Sequence, residues 1–366
     1  MAPIGVGIIG LSASGYSWGV SAHLPYLKDS TKYKITGVCN SSAESSQKAV
    51  DAHKLTDAKA YGSPAEMAAS PDVDLVVCCV RVDRHYEAIK PAIEAGKDCF
   101  VEWPLASNSE QATELLQLAE RKGVKTMIGL QGQMSPVISR IKEIIEKDKA
   151  IGRIVSSNVT LAGMLGTKET TEAHEYLNFA EIGGNMLVIP FGHLYDVISY
   201  TLGELKDVSS TLSVQYPDVP VKSADGSKVL RTIKRTAADH ITMSGLLAND
   251  AHSSATVTGG QAHMDEPAMI WKIEGDKGVI EVRGKQSFAI SMSLDPKIRM
   301  QLFETGKVKE VEFNDDKPGP PGNVGRLYEA FADGQYYPDW KWAVKRHAWV
   351  DALYKSNDSG ERASYV

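Results

Sequence analysis

The chain has 366 residues, 43% of them hydrophobic and 23% charged, with a formal net charge of −6. This length suits two domains, and the composition is ordinary for a globular protein with sizeable cores. A mildly acidic chain has no broad attraction for phosphate backbones or anionic lipids, so we expect neither nucleic acid nor a membrane as partner. No apolar run approaches the roughly 20 residues of a membrane span, and the N-terminus lacks a secretory-signal pattern. These features predict a cytoplasmic protein.

Four cysteines (Cys39, Cys78, Cys79 and Cys99) form neither a CxxC pair nor a metal-binding spacing. We therefore expect reduced, buried cysteines and no metal site.

Up to residue 130, short β-rich runs alternate with helical patterns, which predicts a doubly wound parallel sheet of the Rossmann type. The predicted strands are Ile4–Ile9, Tyr33–Cys39, Leu75–Val80, Asp98–Val101 and Lys125–Gly129. The predicted helices fall in SAESSQKAVDAHK, RHYEAIKPAIEAG and SNSEQATELLQLAERKG.

Residues 131–366 predict an α+β domain built on a large, mainly antiparallel open sheet, since β-rich runs here are separated by turn dipeptides such as Asp225-Gly226. One helix is expected at Asn185–Thr201. A Pro/Gly loop, KPGPPGNVG, precedes two final helices that could pack back on the first domain. The predicted strands are Val208–Tyr216, His240–Leu247, Ser254–Thr258, Met269–Ile273, Val279–Val282 and Phe288–Met292.

Two glycine patterns compete near the N-terminus. The GxGxxG match at Gly5–Gly10 lies inside the first strand, whereas a phosphate-binding loop must follow the strand and open a helix. The degenerate match at Gly10–Gly15 has the right place, and Ser12 replaces its second glycine. The predicted dinucleotide contacts in this loop are Gly10, Ser12, Ala13 and Gly15.

The second predicted strand ends in Asn40-Ser41-Ser42, without the acidic residue that favours NAD(H). Hydroxyl donors at Ser41 and Ser42, with Lys48 further along, tolerate a 2′-phosphate, so NADP(H) is favoured and NAD(H) remains possible. Alternatively, the two serines only cap the following helix.

Two segments resemble the Gfo/Idh/MocA oxidoreductases, a family related to glucose–fructose oxidoreductase and inositol dehydrogenase. These are Glu102-Trp103-Pro104 after a strand and GGNMLVIPFGHLYD at residues 183–196. The resemblance spans nearly the whole chain, and its nearest likeness is to the branch that includes yeast galactose-pathway repressors. It implies an NAD(P)-binding Rossmann domain and a substrate domain.

The chain departs from the family pattern at two positions that the resemblance assigns to catalysis. Trp103 stands where the family has a lysine, and Ile189 where it has an aspartate, whereas His193 is retained. We expect His193 to act as the acid or base, with Asp196 orienting it and Pro190 kinking the helix before it. Alternatively, His193 and Asp196 serve only the structure.

Other residues are weaker candidates. Tyr176 could offer its hydroxyl to a substrate, and Arg81 could reach a cofactor phosphate or a substrate carboxylate. By resemblance, His85 lies near the nicotinamide ribose, Glu102 binds that ribose or the amide, and Trp103 is a further cofactor contact. Alternatively, His85 is only a histidine at the start of a helix. We expect His23 and His240 to be structural.

These features predict an oxidoreductase that transfers a hydride between a nicotinamide cofactor and a small organic carbonyl, enone or imine substrate, or its reduced form. The alternatives are a non-catalytic, nucleotide-sensing regulator and a redox-neutral isomerase. The resemblance also implies a homodimer formed through the open sheet of the second domain.

Overall fold

The computed structural model describes residues 2–14, 17–163, 165–260, 262–263 and 265–365. Its contacts divide the chain into two compact units, Met1–Gln131 with Gly319–Val344, and Gly132–Pro318 with Lys345–Val366. The predicted second domain at 131–366 is therefore interrupted, because Gly319–Val344 belongs to the first unit.

The strands and α-helices follow in chain order. The strands are β1 (Ile4–Ile9), β2 (Tyr33–Cys39), β3 (Lys59–Tyr61), β4 (Leu75–Cys78), β5 (Asp98–Glu102), β6 (Thr126–Gly129), β7 (Ile154–Gly163), β8 (Thr170–Thr171), β9 (Leu205–Ser213), β10 (Asp218–Lys222), β11 (Val229–Lys234), β12 (His240–Leu247), β13 (His252–Gly259), β14 (Met269–Gly275), β15 (Gly278–Gly284), β16 (Lys297–Leu302) and β17 (Val308–Val311). The helices are α1 (Leu24–Asp29), α2 (Ala43–Ala52), α3 (Pro64–Ala68), α4 (His85–Glu94), α5 (Ser109–Lys122), α6 (Pro136–Lys142), α7 (Gly192–Leu202), α8 (Pro320–Asp333) and α9 (Trp340–Ser359).

The first unit contains a six-stranded sheet in the order β3-β2-β1-β4-β5-β6, and every neighbouring pair is parallel. The predicted doubly wound sheet is confirmed. Strand β3 was not predicted, because its three residues contain no run of apolar side chains. In this strand order the chain reverses direction across the sheet at β1 and β4, which places a ligand crevice beyond their carboxyl ends.

The boundaries of α5 follow from local sequence. The Asn108 side chain accepts a hydrogen bond from the Gln111 N–H at 2.9 Å, and Gly123 ends the helix with φ of +67°. A left-handed residue after the last turn is the usual place for glycine, which has no Cβ to clash. Leu115 lies on the buried face of the helix.

The predicted loop KPGPPGNVG is wrong in its second half, because α8 already begins at Pro320. Proline is well tolerated in the first helical turn, where the backbone N–H has no partner within the helix. Gly325 lets this helix approach the ring of Tyr26. A Cβ at Gly325 would lie 2.7 Å from the Tyr26 Cδ2 atom.

The second unit contains an eight-stranded sheet in the order β17-β16-β15-β14-β7-β13-β12-β9. Strands β7 and β13 pair in parallel and the other neighbours pair antiparallel, so the predicted mainly antiparallel sheet is confirmed. A separate small sheet has the order β11-β10-β8.

The large sheet buries one face and leaves the other polar. On β7, Val159 and Leu161 are buried, whereas Asn158 and Thr160 between them are exposed. This alternation is the period of two that a half-buried strand requires.

The predicted strand Phe288–Met292 is wrong. Residues 287–293 form consecutive turns, in which the Met292 N–H donates to the Phe288 carbonyl at 2.9 Å. Ser293 and Asp295 both have φ of +50°, a conformation that an extended strand excludes.

Within the described ranges, no helix combines the length and apolar character needed to cross a membrane. The same residues include no cluster of three or more His, Cys, Asp or Glu side chains able to hold a metal ion.

A buried ion pair organises the loops beside the small sheet. The Arg235 guanidinium donates to the Asp239 carboxylate at 2.9 Å and to the Asn178 side chain at 2.8 Å, and the side chains of both members of the ion pair are at most 1% exposed. Arg235 also donates to the backbone carbonyls of Gly166 and Thr167. The pair thus links three segments that are distant in sequence.

We predict that Arg235→Met lowers the free energy of unfolding by about 3–5 kcal/mol, because the buried Asp239 carboxylate loses its guanidinium partner and Asn178 loses the donors to its side-chain oxygen. Among the described residues, Asp239 then keeps only His240 and the N–H groups of Gln215 and Tyr216. Arg231→Met is the matched control, since Arg231 pairs with Glu172 and Glu175 at the surface and such pairs contribute about 0–1 kcal/mol. Urea unfolding measures both changes. Equal losses in the two variants would contradict the structural role of the buried pair.

Candidate functional site

The chain turns sharply at the carboxyl end of β1. Gly10 has φ of +95°, and a Cβ there would lie 2.8 Å from Val80 Cγ1 and 3.0 Å from the Cys79 carbonyl carbon. Both the conformation and the close approach therefore require glycine. Gly5 and Gly7 lie within β1, where a Cβ would meet the Asp72 carbonyl oxygen at 2.1 Å and the Met67 sulfur at 2.8 Å, respectively. These two glycines serve the packing of the sheet.

Two side chains hold the backbone of the loop after Gly10. Asn40 Nδ2 donates to the Leu11 carbonyl at 2.9 Å, and His53 Nε2 donates to the Ser12 carbonyl at 2.7 Å. The Ser12 and Ser14 hydroxyls lie 2.8 Å apart, and Ala13 is exposed. The predicted contact Gly15 lies outside the described residues. The carbonyls of Leu11 and Ser12 are thus held by side chains, whereas Ala13 next to them is exposed to solvent.

The serines after β2 have distinct roles. The Ser42 hydroxyl accepts from the Ser45 N–H at 3.1 Å and caps α2, as the alternative interpretation holds. Ser41 is exposed. Lys48 is also exposed and pairs with Glu44 at 2.7 Å.

Arg81 and His85 follow β4. The Arg81 guanidinium forms a two-pronged ion pair with Asp83, at 2.6 and 2.5 Å, and its side chain is 43% exposed. The buried His85 ring has Nδ1 at 2.8 Å from the Pro104 carbonyl and Nε2 at 2.9 Å from the Val80 carbonyl. Burial lowers the pKa of His85, and this effect is larger than that of the two carbonyls, which raise it. A neutral imidazole carries one N–H and can donate to only one of these two carbonyls, and both ring nitrogens face the backbone.

Glu102 ends β5 and faces His23, with its Oε1 atom 2.8 Å from the His23 Nε2 atom. The other nitrogen of His23, Nδ1, lies 2.8 Å from the Tyr328 hydroxyl of α8. Trp103 follows Glu102 and is itself only 5% exposed. A buried chain of polar groups thus ends at the same sheet edge as the Gly10 turn.

In the second unit, α7 carries His193 and Asp196. The Asn185 side-chain oxygen accepts from the N–H groups of Leu187 and Val188, and a wide helical turn at Leu187–Phe191 contains Pro190. The expected distortion just before His193 is present. It arises because proline cannot donate the hydrogen bond that a regular helix requires.

Burial in an apolar setting lowers the pKa of His193 to about 4. Its ring meets Phe288 edge to face, with 5.8 Å between ring centroids, and it is 8% exposed. Its Nδ1 atom is enclosed and has no hydrogen-bond partner among the described residues. This leaves Nε2 as the nitrogen that can meet a small molecule, and the imidazole is neutral near pH 7.

The expected orienting bond from Asp196 to His193 does not form within the described parts of the chain. Instead, Gln133 Nε2 donates to Asp196 Oδ1 at 2.8 Å. Asp196 is fully buried, and the amide of Gln133 supplies the donor to its carboxylate.

Tyr176 lies on the short helical segment Glu172–Asn178 and is partly exposed. A neighbouring cavity of about 350 Å³ is lined by residues that include Leu165, Thr171, His174 and Lys222. Tyr176 and His193 are not among its lining residues, so this cavity is not the proposed reaction site.

Four contributors were not anticipated from sequence. Asn40 and His53 support the glycine loop, Tyr328 meets His23 across 305 positions, and Gln133 meets Asp196 across 63. No local pattern marks such contacts. The nearest sequence signal was Asn40 itself, at the end of β2 where a ribose ligand is expected.

Two family models match the chain. Residues 4–130 match the GFO_IDH_MocA model, described as an oxidoreductase family with an NAD-binding Rossmann fold. Residues 136–284 match the model of the Gal80p C-terminal domain.

Similar proteins include both a dehydrogenase and a regulator. The dehydrogenase aclE of Aspergillus oryzae is 32% identical over 375 residues, covering 99% of this chain and 98% of that protein. The galactose/lactose metabolism regulatory protein GAL80 of Saccharomyces cerevisiae is 26% identical, covering 98% and 94%.

Two solved structures share the fold of the chain. A super-repressor mutant of Gal80p from Saccharomyces cerevisiae superposes with a TM-score of 0.92 at 26% identity, covering 99% of this chain and 98% of that one. Levoglucosan dehydrogenase in complex with NADH and levoglucosan has a TM-score of 0.79 at 18% identity, covering 99% of both chains.

We predict that His193 makes the protein less stable in mild acid. Its folded pKa of about 4 lies below its ordinary value of 6.5, so the unfolded chain takes up a proton first as pH falls. Between pH 7 and 4.5 this costs roughly 2–3 kcal/mol, at about 1.4 kcal/mol per pKa unit. His193→Asn should lose that much less stability over this range in urea titrations. His252→Asn, at an exposed position, is the control. Parallel slopes for wild type and His193→Asn would refute the assignment.

Proposed function

The chain belongs to the Gfo/Idh/MocA oxidoreductase family, and from that premise we propose that it is an NAD(P)-dependent oxidoreductase acting on a small organic substrate. The observation that carries this proposal is the neutral, buried imidazole of His193 with its Nε2 atom available to a small molecule. The 32% identity to a dehydrogenase along nearly the whole chain supports it.

The residues of the first unit fit a dinucleotide. The Gly10 turn leaves no room for a Cβ, and the loop carbonyls behind it are already bound by Asn40 and His53. The Ser12 and Ser41 hydroxyls, which now contact those of Ser14 and Ser45, are proposed to turn to phosphate oxygens. The end of β2 offers Asn40 and Ser41 rather than a carboxylate, so we propose NADP(H) as the preferred form, with NAD(H) as the alternative.

The bound nicotinamide supplies or accepts the hydride. We propose that His193 Nε2 takes the proton of a substrate hydroxyl as the carbonyl forms, since the imidazole is neutral near pH 7 and is, at a pKa of about 4, a weak base. Trp103 can donate one hydrogen bond and cannot carry a proton, so the lysine of the family has no chemical equivalent at this position. The chemistry is thus proposed to favour hydroxyl oxidation, or reduction of an enone or imine that needs no strong acid.

A second candidate function is that of a dinucleotide-dependent regulator without turnover. The match of residues 136–284 to the Gal80p C-terminal domain and the tryptophan at position 103 favour it. Such a protein would use the dinucleotide to control binding of an acidic peptide. A redox-neutral isomerase would instead turn over its substrate with no net change in cofactor absorbance.

A homodimer through the outer face of the eight-stranded sheet remains a proposal. That face carries polar and charged side chains, among them Thr160, Thr256 and Lys272. Pairing there would rest on hydrogen bonds and ion pairs more than on apolar burial.

We predict that Gly10→Ala weakens dinucleotide binding at least tenfold, because the new Cβ forces the loop away from Val80 and Cys79. Gly123→Ala is the matched control. Gly123 also has positive φ, but a Cβ there meets nothing within 4 Å. It should lose about 1 kcal/mol of stability and keep its affinity. Titrating NADPH and NADH against tryptophan fluorescence measures both. If wild type binds neither, the proposed cofactor is wrong.

We predict that His193→Asn lowers kcat by roughly 10²–10⁴-fold while the Kd for the cofactor changes less than threefold, because the imidazole acts on the substrate proton only. Absorbance at 340 nm, with panels of alcohols, carbonyls, enones and imines, gives the rate. The wild-type rate should stay level from pH 8 to pH 5, since the pKa of His193 is about 4. Dinucleotide binding without turnover, together with saturable binding of an acidic peptide, would establish the regulator instead.

A further inference from the structure

Three buried side chains form a continuous chain of hydrogen bonds in the first unit. His23 lies in the middle, 2.8 Å from the Tyr328 hydroxyl through Nδ1 and 2.8 Å from Glu102 Oε1 through Nε2. His23 and Tyr328 are fully buried, and Glu102 is 9% exposed. The three side chains come from β5, α8 and the helical turn Gly19–His23, so their hydrogen bonds connect three elements of the unit.

The direction of the bond to Glu102 follows from its donor. An ionised carboxylate only accepts, so the His23 Nε2 atom carries a proton and donates to Glu102. The other ring nitrogen, Nδ1, is bound to the Tyr328 hydroxyl. Burial holds the pKa of the Tyr328 phenol well above its usual value, which keeps it a donor.

Tyr328 therefore anchors the His23 ring on the side opposite Glu102. The carboxylate by itself keeps a proton on Nε2, so loss of the Tyr328 hydroxyl leaves that proton in place but removes the partner of the buried Nδ1 atom. The ring that donates to Glu102 is then held on one side only. A hydroxyl on α8 thus decides how firmly a side chain on β5 is held.

The carboxylate is positioned at a ligand-binding edge. Glu102 ends β5, in the half of the sheet formed by β4, β5 and β6. In this fold the half that contains β1 to β3 binds the adenosine part, because the ribose ligand follows β2, and the other half binds the second nucleotide. On the opposite side, Gly129 leaves room for the carboxylate, since a Cβ there would lie 2.4 Å from Oε2.

We propose that His23 and Tyr328 are positioning residues that aim the Glu102 carboxylate at the nicotinamide half of the dinucleotide. This inference rests on the proposed function. The Glu102 carboxylate would accept a hydrogen bond from a donor on that half, either the carboxamide NH₂ or a ribose hydroxyl. The adenosine half and both phosphates are recognised elsewhere. Their binding should therefore not depend on the hydrogen bonds between Tyr328, His23 and Glu102.

The test compares two ligands that differ only in the nicotinamide. In wild type and Tyr328→Phe, isothermal titration gives the Kd of NADP⁺ and of 2′-phospho-ADP-ribose, or of NAD⁺ and ADP-ribose if that form binds better. Tyr328→Phe should weaken the dinucleotide roughly three- to tenfold and leave the ADP-ribose ligand within twofold. A structural role alone would weaken both ligands equally or neither.

Tyr33→Phe is the matched control. Its hydroxyl donates to the Tyr328 backbone carbonyl at 2.6 Å. The change therefore removes a buried hydroxyl from the same aromatic cluster without touching the hydrogen bonds of His23. It should change neither affinity. If Tyr33→Phe and Tyr328→Phe behave alike while wild type binds the dinucleotide, the inference is wrong and the proposed function stands. If wild type binds neither ligand, the proposed function fails first.

Two further measurements cover a Tyr328→Phe variant that folds poorly. Gly129→Ala displaces the carboxylate from the other side without touching the aromatic cluster, and should reproduce the selective loss. Nitrogen-15 NMR of labelled histidine, with His23→Gln to assign the signal, should show Nε2–H in both proteins and a changed Nδ1 chemical shift in Tyr328→Phe, where the hydrogen bond to that atom is lost. An unchanged Nδ1 chemical shift in a folded variant would overturn the mechanism.

Discussion

The loops at the carboxyl edge of the parallel sheet keep their shape because side chains donate hydrogen bonds to their backbone carbonyls. Asn40 binds the Leu11 carbonyl, His53 binds that of Ser12, and His85 lies between those of Val80 and Pro104. A buried carbonyl without a donor costs about 1–3 kcal/mol, so these side chains limit the conformations open to the loops. The phosphate-binding turn and the Trp103 segment are built on this support.

Burial has opposite consequences for the histidines of the two units. His23 has a partner on each ring nitrogen, so it can transmit an orientation from Tyr328 to Glu102. His193 has an enclosed Nδ1 without a partner, and burial alone lowers its pKa to about 4. An imidazole with this pKa is neutral near pH 7 and a weak base. We propose that the two residues contribute to binding and to proton transfer, respectively.

The same scaffold suits an enzyme and a regulator, because both need a dinucleotide held at the sheet edge. What distinguishes them is a small number of side chains. Trp103 stands where the family has a lysine, whereas His193 is retained on α7. The chain is similar both to a dehydrogenase and to the Gal80 regulators. We propose that the chemistry at these two positions, more than the fold, decides between the two functions.

The amino-acid sequence alone was enough to predict those elements whose formation depends on neighbouring residues. The alternation of apolar strands with capped helices predicted the parallel sheet, Gly10 was identified as the turn because it follows β1, and Pro190 predicted the distortion before His193. The elements it missed depend on distant contacts. The 287–293 turns are stabilised by burial, and α8 begins at two prolines that also suit a loop. Tyr328, Gln133 and His53 gained their roles only in the tertiary structure, because a hydrogen bond across 305 positions leaves no periodicity or spacing in the chain.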